Sequence, residues 1–278
     1  MAHADKQVND PSTTSAAYNV MAPRWAKTNT LLGGTESMKQ ASTQYTPMHE
    51  NETQEGYSDR INSGVLLNMA AIILDEWVGK PFSDPMVLDD TLDEDMLAWF
   101  EDIDMLGNSI HVFARNWYKE GLSKSFSHVM VNVPDMGPRE GRSLADDEAE
   151  GLRPFMSEVK PENLIFAEST MFNGREVLSH VRIKEEKAVR VGFAETFEHR
   201  IRVFDRVLPT EGRLPAGLDM SVVPDDDVME FLLSEDGQGR TFVSVWLHNP
   251  EAKKDEDEWV LIEPPTPIGV PFIPLVTL

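Results

Sequence analysis

The chain has 278 residues, 41% of them hydrophobic, no cysteine, and a formal net charge of -23. Without cysteine there is no disulfide framework and no thiolate metal site, and so acidic a surface repels phosphate backbones, which argues against tight non-specific nucleic-acid binding. No stretch approaches the ~18 consecutive apolar residues of a membrane span, and the opening Met-Ala-His-Ala-Asp-Lys-Gln-Val lacks the apolar run of a signal peptide.

A chain of this length holds one large domain or two smaller ones. Residues 1–24 are polar, rich in Ser, Thr, Asn and Ala, and show no apolar period, so a mobile arm is expected. Residues 25–56 carry the scattered anchors Trp25, Leu31, Leu32, Tyr45 and Pro47, which suggests an irregular segment with a short helix over Glu36–Ala41. Gly33-Gly34-Thr35 lacks the Gly-Lys-Ser/Thr ending of a phosphate loop and reads as a turn. From Tyr57 to Trp77 apolar residues recur at helical spacing. They predict one helix capped by Ser58, ended by Gly79 and barred from continuing by Pro81. Nine acidic residues and no basic one lie between Lys80 and Arg115, among them Asp89, Asp90, Asp93, Asp95, Asp102 and Asp104. Leu92, Met96, Leu97, Phe100 and Ile103 keep a helical stripe through them, so a solvated acidic helix face is expected; a divalent-metal site is the sharper alternative. Asn108-Ser109 caps a helix carrying Ile110, Phe113, Ala114 and Trp117 on one side, with His111 off that stripe and Gly121 as its stop. His128–Val133 is apolar enough for an inner strand ending at Pro134.

Residues 135–152 have almost nothing to bury and read as a loop. Order resumes at Arg153-Pro154-Phe155. A turn at Pro161-Glu162-Asn163 precedes a strand over Leu164–Phe166. Asn173-Gly174 is a strong two-residue hairpin signal, because both residues tolerate positive φ. A strand over Val177–Ile183 with one wetter face follows (Leu178, His180, Arg182), then a second over Glu198–Val207. Arg200, Arg202 and Arg206 share a face there; cross-strand pairing with Glu185 and Glu186 is expected over anion binding. Asp225–Leu233 reads as a short helix, in which Asp225, Asp226 and Asp227 point around the axis rather than converge, as a helix start and not a metal site. Strands recur at Thr241–Leu247 and Trp259–Glu263. Early helices and late strands make the fold class α+β, with a helical N-terminal half packed on a β-rich C-terminal half.

No catalytic arrangement is recognisable. The seven histidines form no His-x-x-x-His pair, and there is no Gly-x-Ser-x-Gly elbow, dinucleotide fingerprint or P-loop. The expectation is a non-enzyme with no catalytic, cofactor-binding or metal site.

Blocks in order resemble the portal proteins of tailed bacteriophages, in the subgroup long described only as a domain of unknown function. The first is Trp25, Gly34, Tyr45 and Pro47; the second is Tyr57, Arg60, Asn68, Gly79 and Phe82. Asp104–Arg115 is similar to an Asp-x-x-Gly-x-Ser-x-x-x-Phe-Ala-Arg block, and Gly121–Pro134 to a Gly, an apolar strand and a terminal Pro. Arg153, Asn173, Arg182 and Pro274 match later positions. The resemblance spans about residues 25–278. It departs at Asn132, where the family often has Asp, and after Pro274, where the family continues into stem, tunnel and crown helices.

The resemblance implies a portal wing-like fold with part of the stem/clip region: an arm over 1–24, a helical wing part over 25–152 and a β-rich part over 153–278. The unit Ile103–Pro134 would be the wing core, with Gly107, Phe113, Gly121 and Pro134 setting bend, packing and ends. It further implies a homo-oligomeric ring, usually of twelve copies, at a capsid vertex of the virion, assembled in the host cytoplasm. The implied partners are the major capsid protein, terminase, a head–tail adaptor and DNA passing through the channel without sequence-specific binding; none is a membrane. Two alternatives stand beside it. One is a head-completion or adaptor protein that assembles on a portal. The other is a metal-dependent hydrolase using the acids of Asp89–Asp104 or Asp225–Asp227.

Overall fold

The computed structural model describes residues 10–89, 91–132, 151–209, 214–218, 232–233, 239–252 and 258–278. The helices are α1 (Ala16–Leu32), α2 (Gly34–Ala41), α3 (Gln54–Ser63), α4 (Met69–Gly79), α5 (Glu94–Glu101) and α6 (Ile110–Lys124). The strands are β1 (His128–Asn132), β2 (Phe155–Val159), β3 (Leu164–Phe172), β4 (Arg175–Val191), β5 (Ala194–Val207), β6 (Arg240–His248), β7 (Trp259–Pro267) and β8 (Leu275–Thr277). The class is α+β. The chain divides into two units: Met1–Asn19 with Val159–Leu275, and Val20–Glu158 with Val276–Leu278. Among the described residues no helix is long and apolar enough to cross a membrane.

The expected arm is ordered from residue 10, and residues 1–9 lie outside the described residues. Asp10 accepts from the amide and hydroxyl of Ser12, and the Ser15 hydroxyl accepts from the Tyr18 amide at 3.1 Å to start α1. The segment is tied to the β unit by polar bonds that a hydropathy pattern cannot register. Ser15 N–H donates to Ile165 O, the Tyr18 hydroxyl to Glu162 O, and Arg182 to Pro11 O and the Thr13 hydroxyl.

In the helical unit, the single helix predicted over Tyr57–Trp77 is two. Thr53, not Ser58, caps α3 through the Gly56 amide. The chain leaves the helix at Gly64 (φ -65°, ψ 141°), and Asn68 starts α4 by accepting from Ala71 N. Asn68 also donates to Leu32 O, and the Thr35 hydroxyl takes the Leu66 amide. Side-chain hydrogen bonds thus replace the helical ones across the break. The short helix expected over Glu36–Ala41 is α2, and Gly34 takes φ 72° in the turn before it.

Ser109 caps α6 as expected, but the helix does not stop at Gly121. It runs to Lys124, where Ser125 takes φ 81°. Gly121 serves close approach instead: a Cβ there would meet Leu278 Cδ2 and Ser127 Oγ at 3.1 Å. β1 is an inner strand, between β2 and β8 in a three-stranded sheet; the expected extension to Val133 and Pro134, and the loop that follows, lie outside the described residues. Ile103, Phe113 and Val129 form the core here, with Trp99, Ile110, Trp117 and Met156 packed on them. Each such buried side chain stabilises by about 1.5–3 kcal/mol relative to exposure.

The β unit is built on a five-stranded antiparallel sheet of order β3-β4-β5-β6-β7. Asn173 (φ 50°) and Gly174 (φ 76°) make the predicted hairpin turn. The face of β4 predicted to be wetter is buried over His180 and Arg182. The reason is the N-terminal segment whose carbonyls and hydroxyls receive Arg182. Ile165, Ile201 and Val203 pack with Tyr18, Trp246 and Trp259, while Val207, Phe242 and Leu232 form a second cluster with Leu218. Of the predicted helix over Asp225–Leu233, only Leu232 and Leu233 are within the described residues.

His128, at the start of β1, is buried with its Nδ1 2.8 Å from the Thr277 hydroxyl. Burial lowers its pKa from 6.5 to about 4. The unfolded chain therefore takes up the proton first on acidification. This contribution to stability is complete above pH 6.5 and is lost as pH falls to about 4, by up to about 3 kcal/mol. His128→Gln, which keeps a hydrogen-bonding group without a titration, should flatten that part of the pH profile. Urea unfolding of both proteins at about pH 7 and about pH 4.5 measures it.

Candidate interaction surfaces

The residues of the portal-like blocks hold backbone in place. In the helical unit Trp25 is buried, packs edge-on against Phe126 and donates from its indole N–H to Lys124 O at 3.0 Å. The Tyr57 hydroxyl bonds Thr46 O and the Ser42 hydroxyl. Arg60 forks onto Glu52 with two 2.8 Å bonds and reaches Pro47 O. Those bonds from Arg60 hold the Glu52 carboxyl down to about 2. Arg153 joins the Asp102 backbone carbonyl and, at 3.1 Å, its carboxylate. In the β unit, Arg182 lies 4.2 Å over the Phe166 ring while gripping the N-terminal segment. These contacts fasten segments of chain within each unit.

Four of the acids weighed as metal ligands, Asp89, Asp93, Asp102 and Asp104, are occupied locally. Asp93 caps α5 through Met96 N at 2.8 Å, and Asp89 accepts from the Thr91 amide and hydroxyl. Asp102 takes Gly107 N, and Asp104 takes Leu106 N and both Asn108 groups. Each carboxylate is turned toward its own loop, because short acidic side chains satisfy amides that helix starts and turns leave unbonded. Among the described residues no three His, Asp or Glu side chains come together as a metal site would require. Asp90 and Asp225–Asp227 lie outside the described residues. His111 is an edge group as expected, accepting from Met86 N and edge-on to Phe82.

Of the three arginines of β5, Arg202 makes the expected cross-strand pair with Glu185. Arg202 lies 3.1 Å from Glu185 across the strands, Arg200 takes Glu198 on its own strand, and Glu186 meets His199. Sequence reasoning missed the buried pair between His180 and Asp205, 2.6 Å apart on opposed positions of β4 and β5. Asp205 also accepts from Ala216 N, and His180 lies edge-on to Phe166. The pair ties β4 to β5 at directly opposed positions.

Compared with known proteins, the chain matches no family model and no curated protein sequence.

Two features of the surface are apolar where water would be expected. On α4, Val78 is fully buried, yet Met69, Ile72, Ile73 and Trp77 stand exposed at helical spacing, Trp77 by 60%. On the β unit, β4 and β5 continue past their neighbours. β3 pairs β4 only as far as Ile183, and β6 pairs β5 only from Arg200. The remaining pairs, from Glu186↔His199 to Val191↔Ala194, form a two-stranded ribbon that no described strand flanks. Gly192 (φ 63°) and Phe193 make its turn, with Phe193 fully exposed. At the base of the ribbon, Phe197, Leu247, Val260 and Ile262 line an open, mainly apolar groove of about 580 Å³, edged by Glu198 and His248. Exposed apolar residues separated along a sequence give no sign of being unpartnered, which is why neither feature was legible earlier.

His180→Ala leaves the Asp205 carboxylate buried without its partner and should cost about 2–3 kcal/mol, whereas Lys80→Ala at the exposed pair with Glu76 should cost under about 1 kcal/mol. Chemical denaturation of the two variants compares them.

Proposed function

We propose that the chain is a structural subunit of a phage portal ring, acting at the capsid vertex as a channel for genome packaging and ejection. The observation that carries this reading is apolar surface that a single copy leaves in water: Trp77, Ile72 and Ile73 on α4, and Phe193 with Val191 on the β4–β5 ribbon. Apolar exposure on a helix face and at a hairpin tip fits a protein that completes its burial against other chains. The ordered resemblance of Trp25, Tyr57–Phe82, Asp104–Arg115 and Arg153–Pro274 to portal proteins supplies the kind of assembly. In this reading the terminase provides ATP hydrolysis, which agrees with a chain that lacks a P-loop. The capsid protein and a head–tail adaptor would be its other partners in the virion.

The charge of -23 is consistent with a channel wall. Cationic side chains release counterions and hold DNA, so a strongly acidic lining lets a duplex slide. Only acids within about a Debye length of the duplex, ~8 Å at physiological salt, would contribute.

Electron microscopy of the purified protein should show rings with a central hole, and filter binding at physiological salt should retain no duplex DNA. A protein that stays monomeric at every concentration and fails to join capsids would overturn the reading. One that assembles only on a preformed portal ring would instead identify the head-completion role.

A further inference from the structure

We infer that β8 is a proton-released latch: when His128 takes up a proton, Val276–Leu278 parts from β1 while the rest of the helical unit keeps its fold. The inference goes beyond the ring reading and does not depend on it.

His128 opens β1, and β8 is bonded along one edge of that strand. The imidazole is 4% exposed, with Nδ1 2.8 Å from the Thr277 hydroxyl and Phe126 edge-on at 5.3 Å. Nε2 is buried with no partner among the described residues. A neutral ring fits this site, because one nitrogen carries a proton and a hydroxyl can either donate to Nδ1 or accept from it. The imidazolium has an N–H on both nitrogens and a full charge. Thr277 can accept one of those protons. The other points from Nε2 to no acceptor, and a buried charge left unpaired is strongly disfavoured.

No neighbouring charge relieves that state. At the end of α6 nearest β1, Lys124 is held by Glu120 at 2.7 Å. On α1, Arg24 and Lys27 beside Trp25 are exposed, β2 carries Glu158, and β8 has no charged side chain. None of these groups is bonded to the ring, and burial is what lowers its pKa. Relief comes from water, which reaches the imidazolium only if something around it opens.

β8 is the element that gives way. Successive side chains of a strand point to opposite faces, so His128 and Val129 lie on opposite sides of β1. Val129 packs with Ile103 and Phe113, which places the core on the face away from the imidazole. β8 is three residues long, and Val276 and Leu278 are 53% and 50% exposed. Leu278 is held by its amide to Ser127 O at 2.9 Å and lies against Gly121. Parting β8 brings water to Nδ1 yet leaves the Ile103 cluster, and the Ser127 hydroxyl bond to Trp117 O, in place. A hydrated imidazole has its ordinary pKa of 6.5, against about 4 beside β8. The open form therefore takes up the proton first, and opening is favoured about 30-fold more at about pH 5 than at about pH 7.5.

Residue-resolved amide hydrogen exchange on the full chain tests the latch. After correction for the intrinsic rate, the Leu278 amide should lose about 30-fold in protection from about pH 7.5 to about pH 5. That opening should hardly respond to low urea, as a local event exposes little surface. The Met156 amide, bonded to the carbonyl of the buried Ile103, should instead exchange through an opening that depends steeply on urea. His128→Gln should keep the Leu278 protection seen at about pH 7.5 and remove its fall toward about pH 5. Leu278 protection equal at the two pH values would overturn the inference. So would a fall with the same urea dependence as Met156, which would mark unfolding of the whole unit; both are read on the wild type. A His128→Gln protein that folds and keeps the full pH dependence would assign the proton to another group and overturn it as well.

Discussion

The antiparallel pairing of β4 with β5 is the constraint on which the β unit depends. Twelve consecutive opposed pairs run without a bulge from His180↔Asp205 to Val191↔Ala194. A slip of one residue would turn Ile201 and Val203 away from the cluster they form with Ile165 and Trp246. The same register sets His180 opposite Asp205 and brings Glu185 within reach of Arg202. It also determines how far the ribbon extends, since β3 and β6 stop short of its tip.

In the helical unit the corresponding work is done by polar fasteners around a small aromatic core. Ile103, fully buried, is held at both backbone groups: its amide donates to Asn108 O and its carbonyl accepts from Met156 N. The carboxylates on either side of it, Asp102 and Asp104, shape the loop leading into α6. An acidic chain can thus spend charge on local architecture, where each cap contributes about 1 kcal/mol, and still present a strongly negative exterior. Surface ion pairs such as Lys119 with Asp75 add little beside this.

Both units leave apolar side chains uncovered, but in physically different ways. On α4 the cause is composition. A helix apolar on more than one face can bury only the face that meets its neighbour, here through Val78. On the ribbon the cause is geometry, because strands that outrun their sheet lose the layer that would cover them.

Residue patterns alone determined the α+β class, the Ser109 cap of α6, the Asn173-Gly174 turn and the inner position of β1. These follow from local φ preferences, cap chemistry and short-range apolar pattern, all of which are written in neighbouring residues. The same local logic misread Gly121 as a helix stop and Tyr57–Trp77 as one helix. It also missed the ordering of the segment from residue 10, because the deciding partners are distant in sequence: Leu278 for Gly121, Leu32 and Thr35 for the break after Gly64, and Arg182 and Ile165 for residues 11–15. Only the tertiary structure decided that His180 meets Asp205, that β8 joins β1, and that the ribbon projects with Phe193 exposed. Register between strands and the points where neighbours end are properties of pairs of segments, so no single stretch of sequence contains them.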